Sequence, residues 1–383
     1  MIVVLALLIA LSSSTYPQND LADRIRTAQS SSNYSEAAQL YLELISAGTD
    51  TPEVRSNYGL MLHLAGRNRE AVKQFQIALA ANPGLVSANL FTGLSELDLG
   101  APKSALPYLE KARGLDSSRP APYLALGKAY MALADYRRAN EAYTKAAALD
   151  SNSAEAWYGV GVTDRRLAEA ILNRAARSGR MKDDAATHEA RPLLDAALDA
   201  LNRAVQLEPD SARAHLLMAE SLSDSGKLVE AVAEYHAALK LDPHLDAACL
   251  GLASTYWKQR QFDEALPLLK RVLETSPKDA EANGMMADIL EHNGDHAGAE
   301  RYAEIALANN SNLIETRVVL ARVYLAKQQP KLAVDELLKV ISADPDGSYH
   351  FLLYRAYRES GDEQAAQEAM AEFRKLRSGA RQE

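Results

Sequence analysis

Pro209, Pro243, Pro277 and Pro345 stand 34, 34 and 68 residues apart, and small residues keep the same step along the chain. One alanine series runs Ala71, Ala105 and Ala139, then Ala197, Ala231, Ala265, Ala299 and Ala333, with a single longer gap. Another runs Gly59, Gly93, Gly127 and Gly161 and continues as Ala219, Ala253, Ala287 and Ala321. A fourth series is Ala78, Ala112, Ala146, Ala204, Ala238, Val272, Ala306 and Val340. Four series at one period mean a stack of equal supersecondary units, each of which buries its apolar face only against its neighbours.

Each unit reads as two helices. Apolar residues recur every three or four positions from Val54 to Leu64, Gly66 suits a helix C-terminus, and a second run from about Glu70 stops before Pro83. The small residues have a packing reason. Where paired helices cross closely, a side chain larger than alanine pushes them apart, so Gly59, Ala71 and Ala78 stay small. Tyr58, Phe75 and Leu79 fill the space between.

This pattern, clearest in "APYLALGKAYMALADYRRANEAYTKAAALD" from Ala121 and "AEAWYGVG" from Ala154, resembles the tetratricopeptide repeat family. About ten units cover residues 18–378, with 379–383 left as a tail. Ser117, Ser151 and Ser311 replace the terminal proline, and the first and last units are degenerate, as capping repeats are. The resemblance implies an all-α, right-handed α-solenoid of helix pairs with a concave groove that binds a peptide or a partner protein. A HEAT or pentatricopeptide array is the competing solenoid.

The longer gap, Ala139 to Ala197, is 58 residues, one period plus 24. The extra text keeps a helical spacing, with Leu167, Ile171 and Leu172 facing Leu193, Ala197 and Leu201. The period therefore predicts a lengthened helical hairpin at about 165–190 within the repeat 154–211, turning near Arg177 to Asp184. Twelve extra residues per arm would reach about 18 Å beyond the neighbours. The arm carries Arg165, Arg166, Arg174, Arg177, Arg180 and Lys182, a local basic patch suited to an acidic partner or lipid headgroups. The plain alternative is the solvated face of a long helix.

Composition narrows the partners. The 383 residues carry a net charge of −9 with a pI near 5.5, which argues against a nucleic-acid binder that must displace phosphate counterions. Cys249 is the only cysteine, so neither an intramolecular disulfide nor a multi-thiolate metal site can form. At the start, Ile2 to Leu11 is an unbroken apolar run, too short to span a bilayer comfortably. Ser12–Ser14 and Pro17 follow, the plan of a secretory signal over residues 1–17, although no Lys or Arg precedes the run. Export is the expectation, to the periplasm or outside, with retention of the segment as an anchor as the alternative.

No catalytic arrangement survives weighing. His292 and His296 are four apart, but Asn293 and Gly294 break the helix between them. Gly159 and Gly161 follow no strand, so they read as packing glycines rather than a phosphate cradle. The expectation is a non-enzyme without cofactor or metal. Function then lies in the face of the inner helices, read out at i, i+4 and i+7. These positions are Leu90, Leu94 and Leu97; Leu124, Lys128 and Met131; Tyr158, Val162 and Arg165. They continue as Leu250, Ser254 and Trp257; Gly284, Asp288 and Glu291; Phe351, Arg355 and Arg358. An apolar first half and a charged last third suit an extended peptide or partner helix, unless the apolar positions pack beneath neighbouring repeats. The Lys and Asn ladder by which some family members clamp a chaperone's terminal carboxylate is replaced here by Leu60, Leu94, Lys128 and Val162. Two readings follow. One is a binding scaffold. The other is an accessory subunit of an envelope enzyme complex, such as a glycosyltransferase or exopolysaccharide-secretion machine, with catalysis in another chain.

Overall fold

The computed structural model describes residues 16–177, 184–344 and 346–379. Among the described residues all regular structure is helical: twenty α-helices and one 3-10 turn. The chain divides into two compact units between Pro209 and Asp210. The first holds α1 (Tyr16–Ser30) with α2 (Tyr34–Ser46), α3 (Pro52–Leu64) with α4 (Asn68–Ala81), and α5 (Val86–Asp98) with α6 (Pro102–Leu115). It continues with α7 (Pro120–Ala132) and α8 (Tyr136–Leu149), then α9 (Ala154–Arg177) and α10 (Asp184–Leu207). The second unit holds α11 (Ala212–Asp224) with α12 (Leu228–Leu241), α13 (Asp246–Lys258) with α14 (Phe262–Thr275), and α15 (Ala280–His292) with α16 (His296–Asn309). It closes with α17 (Ile314–Ala326) and α18 (Pro330–Leu338), a 3-10 turn at Ile341–Ala343, and α19 (Ser348–Ser360) with α20 (Glu363–Gly379). Each unit is an α-solenoid of helix pairs. The first helix of a pair also touches the first helix of the next, as α3 does α5 and α15 does α17, so the first helices form the inner face of each unit.

The repeat text makes these helices locally. The Thr51 hydroxyl accepts the Val54 N–H and Pro52 opens α3 where no backbone donor is needed. At the other end Gly66 adopts φ +76°, its N–H donates to His63 O at 2.9 Å and the Arg67 N–H donates to Leu62 O at 2.8 Å. These bonds satisfy the last carbonyls. Gly100, Gly226 and Gly294 repeat this closure, but Ala134, Arg260 and Gln328 hold it with side chains at φ 56°, 60° and 57°. A left-handed conformation costs an L-residue roughly 1–2 kcal/mol.

The small-residue ladder does what its spacing predicts. Ala71, Ala105, Ala139, Ala197, Ala231, Ala265, Ala299 and Ala333 are all fully buried. A Cβ on Gly59 would sit 2.7 Å from the Phe75 ring, and one on Gly93 would sit 2.3 Å from Leu109. The inner helix is glycine there because the outer helix puts a large side chain into that slot. Gly159 and Gly161 serve the same purpose against Tyr143 and Leu201. Ala231→Leu is accordingly expected to overpack the α11–α12 junction and cost about 1–3 kcal/mol. A thermal melt with unaltered midpoint and cooperativity would remove Ala231 from the ladder.

The lengthened hairpin is present. Helices α9 and α10 are 24 residues each, where α7 and α8 have 13 and 14. The excess of ten or eleven residues carries the pair about 15 Å past its neighbours. The expected turn falls at 178–183, outside the described residues, as do residues 1–15, Pro345 and the tail from 380.

Candidate functional site

In the first unit the expected groove positions are half-buried rather than open. Leu90, Leu94, Leu97, Leu124 and Met131 pack from α5 and α7 onto one apolar cluster that includes Leu126, Tyr130 and Tyr143. Tyr158 and Val162 of α9 are likewise half-buried. They therefore serve the core and leave a partial apolar face. Lys128 is exposed and pairs with Glu155 of the next inner helix at 2.6 Å. Arg165 lies 3.5 Å from Glu169 of its own helix.

The second unit has a built cleft. About 490 Å³ opens between α13, α15 and α17, lined by inner helices and the turn after α13. Trp257, Ser254, Gly284 and Asp288, all expected groove residues, meet here. The Trp257 Nε1–H donates to Asp288 Oδ2 at 2.8 Å, and Arg322 Nη2 donates to Asp288 Oδ1 at 2.5 Å. Arg322 also reaches Glu291 at 3.1 Å, and Arg260 Nη1 lies 3.7 Å from Asp288. Asp288 is only 6% exposed. A buried carboxylate persists when charged donors satisfy its oxygens, and here a guanidinium and an indole do so. The two neighbouring helices approach closely because residue 284 is glycine: a Cβ there would meet the Thr316 hydroxyl at 2.6 Å.

Four cleft residues escape a reading by i, i+4 and i+7: Arg260, Glu281, Glu315 and Arg322. The ladder itself marked two relations among them, since Arg322 follows Asp288 by one period and Glu315 follows Glu281 by one period. Arg260 stands where Gly226 and Gly294 stand one period away, in the left-handed conformation, with its guanidinium 4.6 Å over the Phe262 ring.

Phe351, Arg355 and Arg358 do not join this cleft. Phe351 packs against Phe373 of α20 at 5.3 Å, Arg358 lies over Tyr354, and Arg355 is exposed. The buried face of α19 is Tyr349, Leu353 and Ala356 instead. The reason is the preceding helix: α18 has nine residues and gives way to a 3-10 turn, where other outer helices of this unit run to fourteen. The last pair therefore docks with a different face.

In the arm, Arg174 is exposed, Arg166 pairs with Glu169 at 2.8 Å, and Arg177 is described in its backbone alone. Arg180 and Lys182 lie outside the described residues. Helix α10 brings Glu189, Asp195 and Asp199 into the same hairpin with one cation, Arg191, so the positive excess belongs to α9 and the turn sequence only. Elsewhere, Cys249 is fully buried and burial pushes its thiol pKa up, which keeps it unreactive. His292 stacks edge-on to Phe262 at 5.0 Å. Among the described residues no three His, Cys, Asp or Glu side chains gather as metal ligands, and no helix is long and apolar enough to cross a membrane.

Two profiles described as tetratricopeptide repeat match the chain. One covers residues 23–85, 65–120, 124–186 and 188–246, and the other covers 222–289. The human protein O-mannosyl-transferase TMTC3 is 23% identical over 351 residues, 83% of this chain and 38% of that protein. The Arabidopsis thaliana protein KINESIN LIGHT CHAIN-RELATED 1 is 27% identical over 164 residues, 34% of this chain and 27% of that one. The chain thus spans well under half the length of these curated relatives. Among solved structures, YrrB, a TPR protein with an unusual peptide-binding site, is 21% identical over 54% of this chain and 95% of its own, with a TM-score of 0.42.

Proposed function

The chain belongs to the tetratricopeptide repeat family, and from that premise we propose that it is a non-enzymatic scaffold that holds a partner polypeptide against its inner helices. The observation that carries this reading is the cleft of the second unit: its lining comes from inner helices and one connecting turn, and from no outer helix. The half-buried leucines of α5 and α7 offer a second, apolar stretch of the same face. Exposed Arg174 at the arm suits an acidic contact. Export fits the apolar run Ile2–Leu11 and the small residues after it.

A second reading is favoured by one match. The human relative is named a transferase, yet the aligned 351 residues make up 38% of it. This array then serves a glycosyl-transfer or polysaccharide-export enzyme as an accessory, with the chemistry carried by a separate polypeptide.

A photo-crosslinking residue placed at Leu94 or Ser254 in cells of the native organism is expected to capture a defined partner. The same residue at Ile77 or Val229, exposed on outer helices, is expected to capture none. Equal capture from outer helices would end the groove reading. A captured polypeptide with glycosyl-transfer activity selects the accessory role, and turnover by the purified chain alone would refute both.

A further inference from the structure

The charges in the cleft of the second unit do not balance, and the imbalance names a ligand. Arg322 is engaged by Asp288 and Glu291, and Arg260 faces Asp288 at 3.7 Å. Both cations of the cleft thus already face anions. Glu281 and Glu315, one period apart on α15 and α17, are different. Both are exposed at the cleft, and neither has a cation within salt-bridge distance among the described residues. Glu315 accepts only the neutral Tyr349 hydroxyl, at 3.1 Å. Beside these carboxylates lie Trp257, Met285 and Val319, an apolar wall of the kind that covers the methylene stem of a long basic side chain while its head reaches an acid. An aromatic face also attracts a cation directly.

Resting on the groove reading above, we propose that this cleft is a subsite for a lysine or arginine side chain of an extended partner segment, with Glu281 and Glu315 as its counter-charges and Trp257 as its wall. An acidic segment is disfavoured, because it would approach two uncompensated carboxylates. Asp288 is a positioning residue here: held by Arg322, it fixes the Trp257 indole by the hydrogen bond at 2.8 Å. Arg260, at the cleft edge, would repel a second basic residue on that side and so set the register of the segment.

The test is selection of a random peptide display library, about twelve residues long, on the full-length protein. Enriched sequences should share a Lys or Arg at one place. A synthetic peptide from that set should perturb Trp257 fluorescence in a Trp157→Phe background, where Trp257 is the only tryptophan left. Norleucine in place of the lysine should weaken binding about tenfold. The Glu281→Gln/Glu315→Gln variant, whose two positions are exposed, should keep its melt, bind the lysine peptide about tenfold more weakly, and no longer distinguish lysine from norleucine. Enriched peptides without a basic residue, or a norleucine peptide that binds equally well, would overturn this assignment while leaving the groove reading intact. No enrichment from the library at all would sink both.

Discussion

Phe75→Ala is expected to lower unfolding free energy by about 3–5 kcal/mol, read by denaturant melts of the full chain. Phe75 is fully buried in α4 and is the knob for which Gly59 leaves room: an added Cβ would meet its ring at 2.7 Å. The pair gives a sharper result than either substitution alone. In the native background Gly59→Ala drives a methyl into the ring and is expected to destabilise. With the ring gone, the same change meets open space and gains roughly 0.8–1.0 kcal/mol of helix propensity, so its sign reverses. A double-mutant cycle checks this. Additive effects would mean that glycine at 59 answers to something other than Phe75.

The second large effect depends on pH. Asp164 sits in α9 at 6% exposure, with its Oδ1 accepting from Asn140 at 2.8 Å. Burial raises its pKa to about 6, and the Asn140 bond offsets only part of that. The unfolded carboxyl ionises near its ordinary value of 3.8. Between these two values the unfolded chain has lost the proton that the folded chain keeps, so stability falls as pH rises through this window. Above about pH 6 the full cost stands, roughly 3 kcal/mol for a shift of this size. Asp164→Asn keeps a carbonyl for Asn140 and removes the ionisation. It should gain about 2–3 kcal/mol at pH 7.5 and almost nothing at pH 4. A gain of equal size at both pH values would show that desolvation of the charge is not its cause.

Reading the sequence and reading the structure agree most where packing is local. The glycine and alanine slots repeat because each helix pair presents the same crossing to its neighbour, and a crossing that recurs every 34 residues is visible as a period. The lengthened hairpin was legible for the same reason, since α9 and α10 keep helical spacing throughout the extra residues. Agreement is weaker at the groove. Spacing placed Leu90, Leu94 and Leu124 on the inner face, but it could not divide their surface between core and solvent.

It fails at the last pair. Continuing the step from Ala321 leads to Arg355, which is exposed, whereas Leu353 and Ala356 are buried. The truncation of α18 turned the next helix, and nothing in the residues of α19 alone announces that.

By itself, then, the amino-acid order determined a helical repeat array, its slot residues and its one enlarged hairpin, because those depend on contacts between nearest neighbours in the chain. Only the tertiary structure decided that Trp257, Asp288 and Arg322 join in one hydrogen-bonded cluster while Glu281 and Glu315 keep their charge unanswered. Three successive inner helices bring these residues together, and which side chain meets which is set by how closely those helices approach, as at Gly284 and Thr316.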